Sequence, residues 1–141
     1  MQGLQPIVEL AVFGVLLVLS ITSMAIALER FRYYQQIKAK SYTSRARLES
    51  DLTRRLNVIS TVAANSPYIG LLGTVLGIML TFQTLGSTGE MDVKSIMTGL
   101  ALALKATAAG IIVAIPCVAL NNVLRRKVRE RLTDFDEAHG G

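Results

Sequence analysis

Three long apolar stretches, separated by polar segments of unequal character, set the pattern of this chain. Residues 7–28 carry one charge, Glu9, and residues 96–120 carry one, Lys105. The segment 56–89 has no charged residue, and its membrane-crossing part is placed at residues 62–85. At about 1.5 Å per residue each stretch covers the roughly 30 Å hydrocarbon core of a bilayer. The expected fold is therefore an all-α membrane protein with three transmembrane helices. Helical periodicity continues beyond the spans. Leu48, Leu52, Leu56 and Ile59 share one face and lead straight into the second span, as Leu124, Val128, Leu132 and Phe135 extend the third. A break with a helix N-cap is expected at Ser41, Thr43 and Ser44, and a turn at residues 86–95.

Charge fixes the expected topology. Of the fifteen Lys and Arg residues, eight lie between spans one and two and five lie in the tail. The N-terminus before the first span has none, and the connector between spans two and three has only Lys94. The positive-inside rule then places residues 1–6 and 86–95 outside, and residues 29–61 and 121–141 in the cytoplasm. The first span is expected to stay in the protein, because its positive charge follows the apolar run instead of leading it. A net charge of +5 would suit nucleic acid, but the basic residues border the spans and read as topology signals. One cysteine, Cys117, and one histidine, His139, build neither a disulfide framework nor a metal site.

Ionisable and hydroxyl-bearing positions inside the spans are the candidates for function, since charge in hydrocarbon is costly. Counted along their helices, Thr74 and Thr107 share one level near the middle of the membrane. Ser66, Gly70, Thr74, Gly77 and Thr81 form one face of the second span, with Gly73 and Gly77 in GxxxG spacing. Ala103, Thr107, Gly110 and Ala114 form a matching face of the third. Two readings stand for these faces: close helix packing, or the border of a polar lumen. Pro67 and Pro116 are expected to bend their helices. Lys105 points about 160° away from Thr107 at 100° per residue. It is therefore expected at a neighbouring helix or subunit, as a structural amine or with a direct role. Glu9 is expected near the interface, which leaves Lys105 no carboxylate partner within the chain.

The run SPYIGLLGTVLGIMLTFQ and the run ALKATAAGIIVAIPCVALNN resemble the second- and third-helix motifs of the MotA/TolQ/ExbB proton-channel family, most closely its ExbB branch. The joint pattern P-x-x-G-L-L-G-T-V-x-G with A-T-A-x-G-x-x-V-A-I-P is specific; the first span and the basic segment match in layout only. The resemblance implies a homo-oligomeric inner-membrane ring, usually of five copies, around a single-span ExbD-like partner. That partner supplies a membrane aspartate, and the assembly energises a TonB-like protein for outer-membrane uptake. It also implies that Thr74 and Thr107 line the lumen. There are departures: Leu102 stands where many members have glutamate, and Lys105 where an apolar residue is common. The cytoplasmic segments are short for the family, which sets the chain apart from the four-span flagellar stators. A TolQ-type role in envelope integrity is the nearest rival, and a passive oligomeric membrane scaffold the rival from another class. With no nucleophile–base pair, metal cluster or phosphate loop, neither an enzyme nor a cofactor is expected.

Overall fold

The computed structural model describes residues 4–89 and 92–140, with side chains from Pro6 onward. Four α-helices account for nearly all of it: α1 Leu4–Gln36, α2 Arg45–Leu52, α3 Leu56–Thr88 and α4 Val93–Ala138. A single 3-10 turn, Ala39–Ser41, lies between α1 and α2. Helix is the solution hydrocarbon demands of a lone segment, because it satisfies every backbone polar group internally. α1, α3 and α4 are each long and apolar enough to cross a membrane. α4 continues the third span without interruption into the charged tail, as the periodicity of Leu124, Val128, Leu132 and Phe135 predicts.

Two expectations need correction. The second helix does not run straight from the basic segment into the apolar one. Ser44 caps α2, its hydroxyl accepting from the Arg47 amide, but α2 ends at Leu52. Arg55 then adopts a left-handed backbone (φ 68°) before α3 begins. Leu48, Leu52, Leu56 and Ile59 are nonetheless all fully buried in one cluster. The turn keeps all four side chains on the core, which is why their spacing reads as continuous. The connector is also shorter than expected. α3 persists to Thr88 and is closed by Gly89 at φ 76°, and α4 starts at Val93. Pro67 and Pro116 both lie inside unbroken helices.

The bundle has two differently built halves. At the basic end, Ala27 and Tyr34 of α1, the four aliphatic residues above, and Leu124, Val128, Leu132 and Phe135 of α4 form the largest core. Arg30 is only 4% exposed within it. Its charge is met by Glu29 (Nε to Oε2, 2.7 Å), by the Asp51 carbonyl (2.8 Å) and by the Tyr33 ring 4.4 Å away. Nearby, the Tyr42 hydroxyl donates to Asp51 at 2.6 Å, which pushes the phenol well above its ordinary pKa.

In the apolar half, α3 and α4 pack along a seam of small residues. A Cβ on Gly70 would lie 2.5 Å from the Ala106 carbonyl oxygen, and one on Gly110 would lie 2.5 Å from that of Ser66. Gly73 meets Ala106 Cβ and Val12, Gly77 meets Ala103 Cβ, and Gly99 meets the Thr81 side chain. α1 covers one flank of the seam through Val12 and Leu16, which cluster with Ala106 and are joined by Ile69, Ala109 and Val113.

Because backbone blocks both sites, Gly70→Ala and Gly110→Ala should each lower stability by about 1–3 kcal/mol. Gly86→Ala faces open space and should be neutral, or stabilising by up to about 1 kcal/mol. Thermal melts of the purified protein in nanodiscs read both effects. The same melts test Ser23, whose buried hydroxyl has no hydrogen-bond partner among the described residues. Ser23→Ala should raise stability by about 1 kcal/mol.

Candidate functional site

The seam places hydroxyls where hydrocarbon would otherwise isolate them. On α3, Ser66, Thr74 and Thr81 lie on the buried face with Gly70, Gly73 and Gly77. Each hydroxyl bonds back to the carbonyl four residues earlier: Ser66 to Val62 (2.7 Å), Thr74 to Gly70 (3.3 Å) and Thr81 to Gly77 (2.8 Å). This is how serine and threonine are satisfied within apolar helices.

Thr74 does more. Only 6% exposed, it also reaches across the seam to the Ala103 carbonyl of α4 (3.0 Å) and to the Thr107 hydroxyl. Thr107 itself is half-buried. One proton on Thr74 cannot serve all these acceptors at once. When it goes to Ala103, Thr74 accepts from Thr107; when it goes to Thr107, the Thr107 proton is free to turn outward. The pair can therefore donate or accept at its open side without moving a helix. These contacts depend on Gly70 and Gly110, since a wider helix separation would part the two hydroxyls.

Thr107 and α1 lie on opposite flanks of the seam. Ala106, Ala109 and Val113 mark the direction of α1 on α4, and Thr107 stands on the order of 130° around the helix from them at 3.6 residues per turn. Lys105 is exposed, on the far side of α4 from Thr107.

Glu9 lies against the other two long helices. It is half-buried and lines a narrow cleft of about 20 Å³ with Val8, Val12, Gly73, Gly77, Leu102, Ala103 and Ala106. Glu9 thus sits beside Leu102 and within a helical turn of Lys105 in height, a closeness that the sequence does not lead one to expect. Gly99 also escaped the sequence reading. Its signal was there, one turn before Ala103 on the same small-residue face, but it lies near the end of the span where a glycine reads as a turn.

Comparison with known proteins agrees with this architecture. The family model for the MotA/TolQ/ExbB proton channel family matches residues 22–137. The chain is 49% identical to the biopolymer transport protein ExbB of Aquifex aeolicus, over 99% of this chain and 95% of that protein. It is 46% identical to ExbB of Helicobacter pylori over 90% of this chain and 88% of that one. The Tol-Pal system protein TolQ of Haemophilus influenzae is 38% identical over 70% of this chain but only 43% of its own length. The short polar segments are thus shared with relatives of nearly the same length. With three helices able to cross a bilayer and a match along most of its length, this multi-pass inner-membrane protein belongs to the MotA/TolQ/ExbB proton channel family.

Proposed function

We propose that the chain is a proton-channel subunit of the ExbB type, and not an enzyme. Copies of it form a ring, five being the family's usual number, around a single-span ExbD-like partner whose membrane aspartate carries the proton. Proton flow through that ring energises a TonB-like protein that drives outer-membrane uptake of nutrients such as iron chelates. The N-terminus and the α3–α4 turn face the periplasm, and the basic end and tail face the cytoplasm, on the charge distribution.

The observation that carries this reading is the Thr74–Thr107 pair. Its hydrogen-bonded hydroxyls stand at one level, and its open side is the flank that α1 leaves uncovered. In a ring with α1 outermost, that flank faces the lumen. A hydroxyl pair able to reverse its polarity suits the passage of a proton to and from a carboxylate brought by the partner. The described residues on that flank offer no carboxylate of their own. The near-full-length likeness to ExbB proteins, against partial coverage of TolQ, favours uptake over envelope integrity.

Expression with the adjacent single-span protein tests the assignment. Thr74→Val and Thr107→Val should leave the complex at wild-type mass and yield. Each should cut growth on chelated iron at least tenfold, while Thr107→Ser retains most of it. Undiminished growth of both valine variants would leave a passive scaffold as the better reading.

A further inference from the structure

Two charges in the apolar half, Glu9 of α1 and Lys105 of α4, make no ion pair among the described residues, whereas Arg30 is fully met by neighbours. Unpaired charge is expensive in hydrocarbon and is normally turned toward a partner. The two positions are related by the way α1 and α4 pack. These helices run in the same direction and in step. Val12 clusters with Ala106 near one end, and Arg131 donates to the Tyr34 carbonyl at 3.0 Å near the other. That register puts Glu9 opposite Leu102 and Ala103, as their shared cleft also shows, and Lys105 about 3 Å further along the axis.

They also share a side. On α1, Glu9 lies about 20° around the helix from Leu16 at 3.6 residues per turn. Leu16 is buried in a cluster with Ala106, Ala109 and Val113 of α4 and Ile69 of α3, so Glu9 emerges toward the line where α1 meets those two helices. On α4, Lys105 lies roughly 60° from Leu102, which already touches the Glu9 cleft, and turns further from α3. Glu9 thus opens into the cleft where α1 meets α3 and α4, and Lys105 leaves α4 beside Leu102, at the edge of that cleft on its α1 side. The lysine stem is long and flexible enough to choose where its ammonium rests.

We propose that Glu9 is the counter-ion of Lys105 within the same protomer. The two close an ion pair across the α1–α4 groove when lipid, in place of water, covers it and strengthens their attraction. Such a pair pins α1 to the flank of the seam opposite Thr107 and removes both charges from the lipid face. It gives Lys105 a structural role at the periphery, separate from the hydroxyl pair. The inference stands on packing alone and holds whether or not the chain conducts protons.

The test uses the full-length chain in nanodiscs with its co-expressed single-span partner. Glu9→Gln and Lys105→Met should each lower the melting temperature by several degrees. The double variant should melt above both singles, and the exchange Glu9→Lys with Lys105→Glu should return close to wild type. Additive losses, or no loss from either single change, would overturn the pair. A second measurement does not depend on wild-type stability. Glu9→Cys and Lys105→Cys, placed in a Cys117→Ser chain, are bridged with a short bis-maleimide. A product of monomer mass is expected; a covalent dimer would assign Lys105 to an adjacent copy and sink the proposal.

Discussion

The backbone contact between α3 and α4 at Gly70 and Gly110 governs the apolar half of the molecule. Within lipid, helices gain little from burying apolar surface against each other, so association rests on close van der Waals packing and on hydrogen bonds between helices. Here one device supplies both. With no side chain on Gly70 or Gly110, each glycine approaches a carbonyl of the opposite helix. At that separation the Thr74 hydroxyl reaches the Ala103 carbonyl and Thr107. Close packing and a polar lumen border, two separate readings of the small-residue faces in the sequence, are then compatible properties of one seam: the inner strip packs, and its open edge carries Thr107.

The basic end is held by different forces. There charged and polar residues replace the apolar run, and the core is built by burial of aliphatic side chains. α2 and the first turn of α3 close over α1 and α4, with Leu48, Leu52, Leu56 and Ile59 fully buried. Arg30 is the polar centre of this arrangement. Its guanidinium binds Glu29 on its own helix and the Asp51 carbonyl at the end of α2, while Tyr34 donates to the Leu52 carbonyl. Carbonyls at the C-terminus of α2 that lack helical donors thus receive them from α1. The break between α2 and α3 is stabilised by side chains 18 and 21 residues away from the carbonyls they bind.

How much of this was legible depends on the range of the forces involved. The three apolar helices, the continuation of α4 and the shared level of Thr74 and Thr107 follow from hydropathy and from 3.6-residue periodicity, both local to a helix. The turn at Arg55 was not legible, because the residues on either side keep the spacing of an unbroken helix and the donors that satisfy the break come from α1. The closeness of Glu9 to Leu102 was not legible, because its height beside α4 depends on how far α1 slides along its neighbours. That offset is set by Val12 against Gly73 and Ala106, a contact between distant parts of the chain.

The continuity of α4 has a mechanical consequence. Its 46 residues make a rod about 69 Å long that passes the seam and ends in the tail. Thirty-one residues, about 46 Å, separate Thr107 from Ala138. A tilt of about 5° at the level of Thr107 would carry the far tip sideways by about 4 Å, for a rod with the rise of an ideal helix. Pro116 lies between the two levels, inside the continuous helix, so a tilt at the hydroxyl pair reaches the tail in full only as far as α4 stays straight through that proline.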